Sequence, residues 1–209
     1  MLLPATSDLQ FTIHNSPFTI IHNSQLLTFA NANAIYNLIP TSMQPVNLYS
    51  FRKKLSLRKK IFLKYLRGIE KKPPRALDSS IAIINTEVWQ EVDCLSCANC
   101  CKQMSPTYNS KDIRRISRHM KMTPAQFKEK WLHYDKKEGD WLNKSLPCQF
   151  LDLETNLCTI YPIRPDDCAG FPHLAKKKMV DYMHVHKQNI SYCPATYKMV
   201  EKMMERMPV

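Results

Sequence analysis

Apolar residues recur at helical spacing in several stretches separated by proline and polar breaks. Over 49–71, Leu55, Phe62, Leu66 and Ile69 fall on one helical face while lysine and arginine cover much of the rest, so an amphipathic helix is predicted. Pro73-Pro74 stops it. A second helix is predicted over 79–92, with Ile84, Val88 and Trp89 inward, and it delivers the chain to Cys94. Asn109 or Ser110 can cap a short helix that carries Ile113, Ile116 and Met120. Thr123-Pro124-Ala125-Gln126 has the residues of a helix start: a Thr cap, Pro in the first turn and Gln at the third position. Phe127, Trp131 and Leu132 then face the core, and Gly139-Asp140 marks a loop.

Beyond that loop the period changes. Residues 148–161 read as a β-hairpin, with Phe150-Leu151 and Leu157–Tyr161 strand-like and Glu154-Thr155-Asn156 as the turn. Such a hairpin would bring Cys148 towards Cys158. Pro162, Pro165 and Pro172 are expected to keep the chain extended or turning around Cys168. Residues 180–186 alternate as a short strand would, which would put His184 and His186 on one face. A last helix is predicted over 195–207, with Tyr197, Val200, Met204 and Met207 as its apolar side; that methionine stripe reads as packing.

Composition divides the chain. Residues 1–42 carry one charged side chain, Asp8, and a crude repeat of 11–16 in 18–24, with no sustained period. They read as a poorly ordered or misassigned extension, with Met43 as the physiological start. Residues 43–78 form a basic helix and linker, and 79–209 a cysteine-rich domain. The net charge of +12 is concentrated: 51–77 hold eleven Lys or Arg against one acid, Glu70. Hydrophobic content of 44% allows a real core, and no apolar run approaches the ~18 residues that span a bilayer. No Lys or Arg precedes Arg52, so the basic start of a secretory signal is missing and a reducing, cytoplasmic setting is expected.

Cysteine changes the picture most. Cys94, Cys97, Cys100 and Cys101 lie within eight residues; Cys148, Cys158, Cys168 and Cys193 follow. Adjacent Cys100 and Cys101 are poor disulfide partners for one another, and export is unsupported, so a disulfide framework is disfavoured. Two thiolates separated by two residues can reach one ion from a tight turn. Cys94, Cys97 and Cys100 repeat that spacing, like the first three ligands of a bacterial ferredoxin cluster, and Cys193-Pro194 supplies the dipeptide that pattern wants, far away in sequence. The same eight residues could instead form two four-thiolate zinc sites, or one site plus structural thiols. An iron–sulfur cluster, a 4Fe-4S cluster among the forms considered, and zinc are therefore the two cofactors to weigh. With a metal in place of part of a core, the fold class expected is α+β, mainly α: a small metal-stabilised domain with a short β-hairpin and flanking helices.

The ordered set Cys-x-x-Cys-x-x-Cys-Cys, Pro147-Cys148-Gln149-Phe150-Leu151, Cys158-Thr159-Ile160-Tyr161, Arg164-Pro165-Asp166-Asp167-Cys168 and Phe171-Pro172 resembles the YkgJ-like CxxCxxCC cysteine-cluster family, over roughly residues 88–200. The resemblance implies a zinc- or iron-chelating domain. The cluster is also similar to that of flagellin lysine N-methylases, for which iron–sulfur binding is implied. One departure is Ala98-Asn99, where many members have Gly after the second Cys.

Other polar residues are secondary. Arg164 could pair with Asp166 or Asp167, or neutralise thiolate charge. His173 reads as a hydrogen-bonded structural residue, His119 and His133 as exposed. No Ser/His/Asp order or paired-carboxylate motif stands out, and three Gly make a phosphate loop improbable. Two function classes fit. One is a metal or iron–sulfur protein with a redox or protein-modifying activity on another protein. The other is a non-catalytic, zinc-stabilised interaction module whose basic helix meets an acidic partner or RNA; taken alone, that helix reads as a solvated helix packed by one face on the domain, a phosphate-binding helix or one lying on an anionic membrane surface. No paired-His zinc-finger pattern accompanies the cysteines, which disfavours specific DNA recognition.

Overall fold

Asn47 starts the first helix by accepting the Ser50 N–H on its side chain at 2.9 Å, and α1 then runs over Leu48–Lys71. The computed structural model describes residues 45–176 and 178–208. The extension assigned to 1–42, its repeat and the start at Met43 lie outside them. Helix α1 buries Phe51, Phe62, Tyr65, Leu66 and Ile69, and leaves most of its lysines and arginines exposed. Helix α2 covers Leu77–Glu91 and buries Ile81, Ile84 and Val88.

After the cysteine run, helix α5 spans Ser110–His119. It begins with a capping box: the Asn109 side chain accepts from Lys111 and Asp112, and Asp112 accepts from the Asn109 N–H. Helix α6 (Pro124–Trp131) begins with the reciprocal pair Thr123 and Gln126. Strands β1 (Leu132–Asp135) and β2 (Asp140–Asn143) follow as an antiparallel hairpin that pairs Leu132 with Asn143 and Asp135 with Asp140. The turn is fixed by Asp135, whose carboxylate accepts from Lys137 and Glu138, and by Gly139 at φ +77°. Helices α8 (Met183–Asn189) and α9 (Pro194–Arg206) close the chain.

Two hydrophobic cores result. The larger joins α1, α2, α8 and α9, with Phe51 and Phe62 packed on Tyr197 at ring separations of 5.8 and 4.9 Å. Tyr65 donates to the Met203 and Met207 carbonyls at 3.0 and 2.8 Å, and burial pushes its pKa up to about 12. On the surface of the same core, Lys202 bridges Glu91 and Glu87 at 2.7 and 3.3 Å. The smaller core gathers Tyr108, Ile113, Ile116, Phe127, Leu132, Phe150 and Ile160. The chain is thus mainly helical with one short hairpin, as the class α+β, mainly α, requires. No helix among the described residues is long and apolar enough to cross a membrane.

Three expectations are corrected. The hairpin lies over 132–143, not 148–161, where only the single bridge Leu151–Cys158 forms. There Asp152 accepts the Glu154 and Thr155 N–H groups, so the backbone is spent on a side-chain turn rather than a ladder. Residues 180–186 are not a strand: a 3-10 turn over Met179–Tyr182 runs into α8. The buried residues Met179, Met183, His186 and Ile190 recur every three or four positions, and this helical period outweighs the apparent alternation. His184 is consequently exposed while His186 is buried, and they share no face. Around Cys168 the prolines do not hold the chain extended; Pro165 leads into a short helix, α7 (Asp166–Gly170).

His186 makes the fold sensitive to acid. It is fully buried and neither ring nitrogen has a partner. Burial, then the His173 and His184 imidazoles, lower its pKa to about 4. An unfolded histidine titrates near ~6.5, so on acidification the unfolded chain binds this proton first. Stability is therefore lost as pH falls from roughly 6.5 to about 4, and is level above that window. In denaturant unfolding at pH 7 and pH 5, the wild type should lose about 2 kcal/mol more than His186→Met; equal losses would contradict the assignment.

Candidate metal centre

The cysteine run lies between the two cores. Asp93 opens it, accepting the Leu95 and Ser96 N–H groups at 3.0 and 3.3 Å, which starts the one-turn helix α3 (Cys94–Cys97). Ala98 then takes the left-handed conformation, φ +44°, and reverses the chain into α4 (Asn99–Gln103). That conformation is strained for a residue with a Cβ, costing roughly 1–2 kcal/mol. A glycine would take it without that cost.

Polar ties carry distant cysteines to the run. The buried Asn99 side chain donates to the Tyr192 carbonyl at 2.6 Å and accepts from Gln103, which brings Cys193 beside Cys97. Cys94, Cys97, Cys100 and Cys193 line one narrow cleft of about 20 Å³, walled by Trp89 and Phe171. Cys193 caps α9, and the first N–H groups of that helix, from Ala195 and Thr196, are directed at its sulfur. The Thr196 hydroxyl is buried without a hydrogen-bond partner beside the same sulfur. The Asn99 N–H donates to the Cys97 sulfur.

The remaining thiols meet on the other side. The Cys148 N–H donates to the Cys101 carbonyl at 2.8 Å, and the Leu151–Cys158 bridge sets Cys158 alongside. Cys168 arrives on α7. Asp166 of that helix donates its N–H to the Asp112 carboxylate at 3.1 Å, and Asp167 accepts from the Thr107 N–H and His173, each at 3.0 Å. The N–H groups of Phe150 and Ile160 donate to the sulfurs of Cys148 and Cys158. Asn143 uses its side-chain oxygen to accept from Tyr108 and Gln149 at 2.7 and 2.9 Å. Its buried amide nitrogen has no hydrogen-bond partner and lies near the Cys148 sulfur. These cysteines border a cavity of about 340 Å³, which Cys94 and Cys100 also reach and which Tyr161 and Arg164 flank.

Burial dominates the electrostatics. It pushes Cys94 up to about 12, aided by the neighbouring charges of Cys193 and Cys97, and raises Cys168 for the same reason beside Cys101 and Cys148. Cys193 stands at about 11 even with its N–H donors. Cys100 and Cys101, with sulfurs 3.9 Å apart, share a hydrogen bond that raises Cys100 and lowers Cys101. Lys102 lowers Cys97 and Cys101, and Arg164 lowers Cys158.

The donor set suits zinc or iron: eight soft sulfurs, all free of disulfides, with the unpartnered polar atoms of Thr196 and Asn143 buried beside them. A cation would supply the positive charge that lets buried thiols ionise. Among the described residues, no three Cys, His, Asp or Glu side chains stand close enough to hold a single ion as they are. Sulfurs around one tetrahedral zinc lie ~3.8 Å apart, so single-ion coordination requires the side chains to turn inward.

The other candidates are structural. Arg164 pairs with neither aspartate. It lies 3.8 Å from the Tyr161 ring and donates to the Tyr161 carbonyl, while Asp166 meets Arg115 at 3.2 Å. Burial alone would raise Asp167, but the His173 and Thr107 bonds outweigh it and hold the carboxyl below its ordinary range. His173 thus positions α7; its ring also sits 3.0 Å from where a side chain on Gly170 would begin. His119 and His133 are exposed. Sequence reasoning missed Asn143, Thr196, Asn99 and Asp167. Only Thr196 left a trace, as a hydroxyl in the first turn after Cys193-Pro194.

No solved structure matches the chain. Residues 93–194 match the model of the CxxCxxCC family, described as "Putative zinc- or iron-chelating domain". Both ends of the match bracket the cysteines, from the capping Asp93 to the proline after Cys193. Over residues 93–194, therefore, this chain carries a domain of the CxxCxxCC family.

Proposed function

We propose that the domain is a thiolate metal-binding unit that carries an iron–sulfur cluster, and that it serves redox or modifying chemistry on another protein. The observation that carries this reading is the wide spacing of the thiols. Six of the eight border one cavity of about 340 Å³, and no three among the described residues are at single-ion distance. A cluster of several irons needs less closure of such a set than one ion does. When bound, the cluster would supply electron transfer. The chain's own groups do the rest. The N–H groups of Asn99, Phe150 and Ile160 offset sulfur charge, as do Lys102 and Arg164. Tyr108, Phe150 and Phe171 keep the cavity wall apolar, which limits water at the sulfurs. Eight free thiols support a reducing, cytoplasmic setting.

A second reading has its own support. The narrow cleft of about 20 Å³ leaves no room for an added ligand, as a closed structural zinc site requires. The exposed lysines and arginines of α1 then offer a surface for an acidic partner or RNA.

Anaerobic purification of the full chain, followed by an absorption spectrum and metal and sulfide analysis, separates the two. Broad visible charge-transfer absorption with iron and sulfide is expected. A colourless protein with stoichiometric zinc after anaerobic work would overturn the iron–sulfur reading.

A further inference from the structure

The structure assigns the eight thiols to two four-thiolate metal sites that meet at the Cys100–Cys101 peptide. One is held by Cys94, Cys97, Cys100 and Cys193, the other by Cys101, Cys148, Cys158 and Cys168. This rests on the reading that the thiolates bind metal, and is independent of which metal.

The narrow cleft supplies the first ground. Its sulfur lining is Cys94, Cys97, Cys100 and Cys193; Cys148, Cys158 and Cys168 do not reach it. Those three border the larger cavity with Cys101; Cys94 and Cys100 reach both spaces, and Cys97 and Cys193 only the cleft. The second ground is helical geometry. Cys100 and Cys101 are consecutive in α4, so their side chains leave the axis about 100° apart. One can serve each cleft, and their 3.9 Å sulfur contact marks the boundary.

The third ground is duplication of the supporting groups. Each set has two sulfurs whose charge is offset by the N–H two residues on: Cys97 and Cys193 in the first, Cys148 and Cys158 in the second. Each also has one buried side-chain donor that lies near a sulfur and has no hydrogen-bond partner, Thr196 by Cys193 and Asn143 by Cys148. Outer groups of this kind fix the orientation and charge of a ligand, and a set shared by one ion would need them once. The fourth ground is packing. Cys193 belongs to the larger core, whereas Cys148 and Cys158 pack on the smaller one. The sites also differ in room: the first lies on the cleft of about 20 Å³, and the second on the cavity of about 340 Å³ beside Tyr161 and Arg164.

Titration of the stripped, reduced full chain with Co²⁺ under anaerobic conditions tests this through the sulfur-to-cobalt charge-transfer band. The wild type should saturate at two equivalents. Cys97→Ser with Cys193→Ser should keep one equivalent, and so should Cys158→Ser with Cys168→Ser. Saturation of the wild type at one equivalent, or complete loss of the band in either variant, would overturn the partition while leaving thiolate binding intact. Absence of any thiolate–cobalt band in the wild type would remove thiolate metal binding itself, and the partition with it. Because a variant can misfold, cadmium NMR of the wild type provides a second check. Two resonances in the all-sulfur range are expected, and a single one would overturn the proposal.

Discussion

Desolvated thiols resist ionisation, and this chain collects eight cysteines where its two cores adjoin, two of them buried, five half-buried and Cys94 exposed. Desolvation raises most of them, and each thiolate that forms makes the next harder to form. The arrangement is unfavourable without positive charge, which Lys102 and Arg164 supply only in part. A bound metal resolves it, and on the order of 10 kcal/mol or more is typical of a structural zinc site at neutral pH. The rest of the fold is organised around that demand. The larger core presents Cys193 at the start of α9, the chain leaving α2 leads into Cys94, and the smaller core presents Cys148 and Cys158.

Much of the helical frame was legible because its signals are local. Asn109 with Asp112, and Thr123 with Gln126, name their own helix starts, and Pro73-Pro74 names a stop. What failed was the distinction between strand and helix in short segments. Met179, Met183, His186 and Ile190 set a helical period that Val180, Tyr182 and His184 mask by alternating with it. The true hairpin over 132–143 has a polar, exposed strand, so no apolar alternation announces it.

The candidate ligands were legible from spacing, but their partition was not. Nothing in the sequence says that Asn99 bonds the Tyr192 carbonyl, yet that bond carries Cys193 to the run. Nor does any motif reveal that Asn143, at the end of β2, buries its amide near Cys148. These are contacts between residues far apart in the chain, fixed by tertiary packing. The left-handed Ala98 is the exception, since its departure from glycine could be read as a turn before the turn was seen.

The basic helix has a double role in this picture. One face builds the larger core through Phe62, Leu66 and Ile69; the other remains charged and exposed. The metal centre and this charged face are thus built on opposite requirements, one dry and anionic, the other wet and cationic. The account depends most on sulfur being the donor. X-ray absorption at the edge of the metal carried by the full-length protein measures this directly. An all-sulfur first shell near ~2.3 Å is predicted, and a shell dominated by oxygen or nitrogen would contradict the account.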